Sequence, residues 1–136
     1  MKKLVAVFCI GGALLFFVDC KKKKVDQHIP PDVSYKSGTK FITGDCTLPK
    51  QDTVWIGITA TKTEDDLKSY NLSYAYDGAG TTTTFFTYYL NSSEYNSYSK
   101  DVQIITRNQA GSEKWISTIV DRDGNITQKT ILITVQ

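Results

Sequence analysis

The chain has 136 residues, enough for one domain and not two. It carries 16 Lys and Arg against 14 Asp and Glu, and from Val33 onward the balance is 10 to 11, so no basic field is available to attract nucleic acid. With three cysteines and one histidine, neither a disulfide framework nor a histidine-built metal site is expected.

The first stretch is an export signal in its layout. Met1, Lys2 and Lys3 form a short positive start, and residues 4–18 are an unbroken run of apolar and small side chains. Such a run falls short of the roughly 20 residues that span a bilayer and fits the apolar core of a signal peptide. Phe17-Val18-Asp19-Cys20 resembles the lipobox of bacterial lipoproteins. In that family a lipid is attached to the cysteine and the chain is cut just before it. Asp19 departs from the pattern, which has a small residue before the cysteine. The resemblance implies a lipid on Cys20 and an anchor of more than one acyl chain, which holds a protein stably on a membrane. Lys21–Lys24 would then lie among the headgroups, where each lysine contributes about 1 kcal/mol beside anionic lipid. The organisation expected is a signal peptide over 1–19, a lipidated tether over 20–32 containing Pro30-Pro31, and a domain over 33–136.

After the tether, Thr, Tyr, Val and Ile become common and turn residues recur about every ten positions, the signature of short strands in a sandwich or barrel. A first strand is predicted over 39–43, ended by Gly44-Asp45, with a loop over 48–52. Residues 53–61 alternate cleanly, with Val54, Ile56, Ile58 and Ala60 on one face and Trp55, Gly57 and Thr59 on the other. A polar connection at 64–67 leads to a strand over 69–77, whose Tyr70, Leu72, Tyr74 and Tyr76 share a face. Gly78-Ala79-Gly80 breaks it. One strand is expected near 83–90 and a mobile loop over 91–97. Strands over 101–107, 115–121 and 126–135 follow, the last two joined at Asp123-Gly124, a hairpin signal because type I′ turns need positive φ at both central residues. No long amphipathic helix follows Val18, which argues against a parallel α/β architecture. The fold class expected is all-β, an antiparallel sandwich of about seven strands.

The segment Ile119-Val120-Asp121-Arg122-Asp123-Gly124-Asn125-Ile126-Thr127, with residues 129–135 after it, resembles the closing hairpin of bacterial immunoglobulin-like domains, and residues 58–73 are similar to their second and third strands. The resemblance implies an immunoglobulin-like sandwich and says little of function. The cysteine pair of the immunoglobulins is absent: Cys9 belongs to the signal, Cys20 to the lipid, and Cys46 is left without a partner.

Candidate chemistry is sparse. Asp121, Asp123 and Asn125 offer clustered oxygens of the kind calcium takes, with Glu64, Asp65 and Asp66 as neighbours from another loop; against this, turn formation already explains Asp123-Gly124, and no later acidic residue near Thr130 completes a calcium loop. Trp55, Tyr88 and Tyr95 are candidates for a ligand platform that stacks on sugar rings, joined by Tyr89 and Trp115, against the alternative that strand aromatics are core. The only histidine is His28 in the tether, so no Ser-His-Asp or Cys-His set exists in the domain. No cofactor motif is present. These observations favour a non-enzymatic envelope lipoprotein, held on the membrane (the outer one) by its lipid, that acts in adhesion or protein contact. A carbohydrate-binding accessory lipoprotein and a periplasmic inhibitor or assembly factor stand as alternatives. The partner is then an envelope protein or a glycan.

Overall fold

The computed structural model describes residues 27–136. The expected signal peptide, Cys20 and most of the tether lie outside the described residues. Eight strands follow: β1 (Asp32–Tyr35), β2 (Cys46–Leu48), β3 (Thr53–Thr61), β4 (Leu67–Tyr76), β5 (Thr83–Tyr89), β6 (Ser97–Ile105), β7 (Gly111–Asp121) and β8 (Ile126–Val135). They form two sheets, one in the order β1-β3-β6 and the other in the order β2-β8-β7-β4-β5. Every pairing is antiparallel except β2 with β8. The chain opens in one sheet with β1, crosses to the other as β2 beside the last strand, and returns as β3. It crosses to the five-stranded sheet for β4 and β5, back to the far side of β3 as β6, and over once more for β7 and β8. This is the Greek-key connectivity of an immunoglobulin-like sandwich.

The alternation read in β3 sets the core. Ile56, Ile58 and Ala60 are buried, facing Leu67, Tyr70 and Leu72 of β4 and Ile131, Ile133 and Val135 of β8. Each fully buried aliphatic side chain contributes about 1.5–3 kcal/mol over its exposed state. With no disulfide in the described domain, this burial holds the sheets together. Two core tyrosines share one partner: the Tyr70 hydroxyl lies 3.3 Å from the Ser117 hydroxyl, and Tyr35 also hydrogen-bonds Ser117. Desolvation pushes the Tyr35 and Tyr70 phenols up to about 12.

Four expectations are corrected. Residues 39–43 are not a ladder strand; only Phe41 makes an isolated bridge, with Trp55. The first strands are β1 and β2 instead, because Val33 enters the core directly after Pro30-Pro31 and Cys46–Leu48 pairs with β8. Phe41 stays outside the core because its ring is seated against Gly57, where an added Cβ would sit 2.6 Å from the ring. Second, the described residues hold eight strands where about seven were expected. Third, residues 91–97 are a built corner: Asn91 caps a 3₁₀ turn over Ser92–Glu94 in a reciprocal capping box, and β6 starts at Ser97. Fourth, Tyr74 is half-buried and Tyr76 is 37% exposed, so the tyrosine face of β4 is core only at its start.

Candidate functional site

The three platform candidates are not brought together. Trp55 lies on the outer face of the three-stranded sheet, half-buried, with the Lys40 ammonium 4.8 Å from its ring centre. Lys40 and Lys36 both bind Asp101, at 3.0 and 2.5 Å, and hold its carboxyl below the usual range. Tyr88 points inward and stacks on Tyr98, centroids 5.7 Å apart, while its hydroxyl donates to Glu94 at 3.1 Å. Tyr98 pairs with Ala60, five residues from Trp55 along β3, which at about 3.3 Å per residue is roughly 16 Å away and on the other face. Tyr95 closes the 3₁₀ turn under the Arg122 guanidinium, 4.0 Å from its ring centre.

The calcium candidates read as turn chemistry at Asp121. Its carboxylate is buried and accepts from the Asn125 amide N–H at 2.8 Å and from the Asn125 side chain at 2.9 Å. The hairpin is not the two-residue type I′ turn expected: Gly124 takes a positive φ and Asp123 does not, and a longer connection closes with the Gly124 amide donating to the Asp121 carbonyl at 3.3 Å. No cluster of three or more His, Cys, Asp or Glu that could hold a metal occurs among the described residues. Cys46 is half-buried in β2, and burial pushes its thiol up, with Asp45 adding to the effect, which disfavours the reactive thiolate.

Two surfaces emerge that the sequence pattern does not assemble, although each holds one aromatic it offers to a platform, Trp115 in the first and Tyr89 in the second. The first is the pole where β4 ends. Tyr74, Tyr76, Phe85 and Trp115 form one cluster with centroids 4.9–6.5 Å apart. Phe85 reaches it because the β4–β5 register jumps between Leu72 and Ser73, leaving Phe85 without a partner and turning two consecutive rings inward. Beneath, the buried Glu113 carboxylate accepts from the Trp115 indole at 3.0 Å and from the Arg107 amide at 2.7 Å. Arg107 forks onto Asp77 at 2.5 and 2.6 Å and lies over Tyr76, 4.9 Å from the ring centre. That guanidinium, with the Ser112 amide, draws the Asp77 carboxyl down to about 2. Tyr76 and Phe85 keep 37% and 48% of their surface exposed.

The second surface is the outer edge of β5. The five-stranded sheet ends at β5, and among the described residues no strand pairs with that edge. Leu90 donates its amide to Lys68 at 2.9 Å, which with the register makes Tyr70–Tyr88 and Leu72–Phe86 the hydrogen-bonded pairs. The N–H and C=O groups of Thr87 and Tyr89 therefore point away from β4, toward solvent. The Tyr89 side chain is 72% exposed. No charged residue stands anywhere between Asp77 and Glu94. That gap was readable in the sequence; the position of its strand at a sheet edge was not. The other free long edge, β6, carries Lys100 and Asp101.

No family model and no curated protein matches the chain. Solved structures similar to it include murine CRIg, at 11% identity over 78% of this chain and 96% of that one, with a TM-score of 0.42. A chain of the complex between CaDoc0917 and CaCohA2 is matched at 13% identity over 78% and 99%, TM-score 0.38. A structural-genomics target, SoR45, is matched at 14% identity over 82% and 90%, TM-score 0.34.

Proposed function

We propose that this chain is a non-enzymatic protein-contact module, lipid-anchored through Cys20 on the bacterial cell envelope, whose contact surface is the outer edge of β5. The observation that carries the reading is the unguarded edge. A strand with outward amides and carbonyls is a template for another strand, and proteins that must avoid such pairing place Lys, Pro or a bulge there. Here the outward groups of Thr87 and Tyr89 lie in a segment without charge or proline. The bulge at Phe85 interrupts only the end of β5 away from Tyr89. The lipobox-like Phe17-Val18-Asp19-Cys20 supports the anchor. A protein held on a membrane meets its partners at high local concentration, so a short strand-to-strand contact suffices.

Two measurements test it. Metabolic labelling with a fatty-acid analogue marks the wild-type chain and not Cys20→Ala; an unlabelled wild type removes the anchor. A photo-reactive benzoylphenylalanine replacing Tyr89 in the full-length, envelope-bound chain forms a protein adduct on illumination, and the same group replacing Gln128 on the outer face of β8 does not. No adduct at Tyr89 removes the contact surface.

A carbohydrate-binding reading has one specific observation in its favour, the exposed Tyr76 and Phe85 rings beside the Asp77–Arg107 pair. Apolar faces with a few fixed polar groups suit a sugar ring. A glycan array on the wild type and Tyr76→Ala tests it, and equal signals from the two remove it.

A further inference from the structure

We propose that the occupant of the β5 edge is the β5 edge of a second copy of this chain, joined antiparallel about a two-fold axis so that two five-stranded sheets become one continuous sheet. The inference rests on the reading of β5 as the contact surface and names its partner.

Symmetry makes the case. In an isologous antiparallel contact the strand lies against itself, so any charge it carries meets charges from the same short segment. Whatever the register, such pairing is free of like-charge contacts only if the segment is neutral throughout. The stretch between Asp77 and Glu94 satisfies this for either sign. A foreign partner places no such demand: complementary charges across an interface are the usual source of partner choice. β5 offers none, while the neighbouring free edge β6 has both a lysine and an aspartate. The outward groups fit as well. Thr87 and Tyr89 each present one donor and one acceptor on the same side, and the outward residues of one antiparallel edge match those of its own copy. Thr84, Thr87 and Tyr89 supply hydroxyl and aromatic side chains, which form favourable cross-strand pairs. One strand pair is a small interface, so the association is weak in solution and depends on the density of copies on the membrane.

The experiment uses two full-length versions of the chain, carrying different C-terminal tags and expressed together in the cell envelope. Both contain benzoylphenylalanine at Tyr89. The expected product is a covalent adduct of twice the chain mass that carries both tags. Thr87→Pro removes the outward N–H without touching a bond to β4, and on each of two symmetric copies, so it lowers the adduct yield about tenfold or more. Thr87→Ala keeps the N–H and loses only the side-chain contact from Asn71, 2.6 Å long, so it retains the adduct. Thr87→Ala controls for the side chain, and a urea midpoint of Thr87→Pro within about 1 M of wild type separates lost edge pairing from damage to the fold. An adduct of another mass, with a single tag, overturns the second copy and leaves β5 as a contact surface. No adduct at all overturns both. A two-tag adduct that forms equally with benzoylphenylalanine at Gln103 on β6, or survives Thr87→Pro undiminished, also overturns the pairing.

Discussion

Thr106, just past the end of β6, ties down the loop by which the chain passes from β2 in one sheet to β3 in the other. Its buried hydroxyl donates to the Pro49 carbonyl at 2.7 Å and accepts from the Asp52 amide at 2.8 Å. Its backbone adds two more bonds, to the Asp52 carbonyl and from the Gln51 amide. Thr106→Val keeps the shape and removes only the hydroxyl. Each of the two loop groups then loses a partner, at about 1–3 kcal/mol for a buried group and less where water reaches it. Valine recovers at most about 1 kcal/mol in strand preference and apolar burial. The loss wins, with a net destabilisation of about 2–3 kcal/mol. Thr106→Ser keeps both bonds and loses one methyl, about 1 kcal/mol. With an m-value of about 1–1.5 kcal/mol/M in urea for a domain of this size, the valine variant unfolds about 2 M earlier and the serine variant within about 1 M of wild type. Urea titration of the sandwich produced without residues 1–26, followed by the fluorescence of Trp55 and Trp115, reads both. A valine variant as stable as the serine variant refutes the assignment of the anchor to the hydroxyl.

Three further outcomes follow from the packing and the charges. Because Arg107 lowers the Asp77 carboxyl to about 2 from an unfolded value near 3.9, its contribution is present above about pH 4 and fades as the pH falls toward 2. Asp77→Asn therefore melts below wild type at pH 6 and converges with it by pH 2; a gap that stays constant in thermal melts refutes the pairing. The Tyr70 phenol, raised to about 12 chiefly by burial, contributes stability that is complete below the unfolded value near 10 and is lost as the pH rises through about 12. Absorbance at alkaline pH then shows Tyr70 ionising only with unfolding, and Tyr70→Phe weakens this alkaline loss; ionisation at the ordinary value in the folded protein contradicts it. Gly57→Ala puts a methyl within 2.6–2.8 Å of the Phe41 ring and costs about 1–2 kcal/mol, a penalty that disappears in a Phe41→Ala background when the double-mutant cycle is closed by urea titration.

The central strands were legible because period-two alternation is strong where one face is buried. β3 runs over the residues its pattern marks, and β8 buries Ile131, Ile133 and Val135 as expected. β1 and β2 were not legible, being three or four residues long and held by their neighbours rather than by a pattern of their own. Residues 39–43 hold strand formers before a Gly44-Asp45 stop and so fit a strand on their own; only the missing side chain at Gly57, on another strand, gives Phe41 its outer-face seat. The platform aromatics are dispersed for a related reason. Sequence spacing says which residues share a face on one strand and nothing about which faces meet between strands, and Trp55, Tyr88 and Tyr95 sit in three different surroundings. The cluster of Tyr74, Phe85 and Trp115 depends on a register jump that no local pattern announces.

The flank that carries β5 also explains how an open edge coexists with a stable fold. Both sheets end on this side, β5 in one and β6 in the other, so the core lacks a further strand to cover it. Side chains do the covering. Tyr88 stacks on Tyr98, Tyr70 packs against both Phe86 and Tyr98, and the Lys100 ammonium caps Phe86 at 5.0 Å. All of these point inward from residues whose backbone groups are bonded within the sheets or whose rings face the core. The outward amides and carbonyls of Thr87 and Tyr89 contribute to none of them. Folding and the contact proposed for this edge thus draw on different atoms of the same strand, inward side chains for one and outward backbone for the other. A strand divided in this way can change its edge chemistry at Thr87 without a change in core packing, which is the condition for an interaction surface to vary while its scaffold is kept.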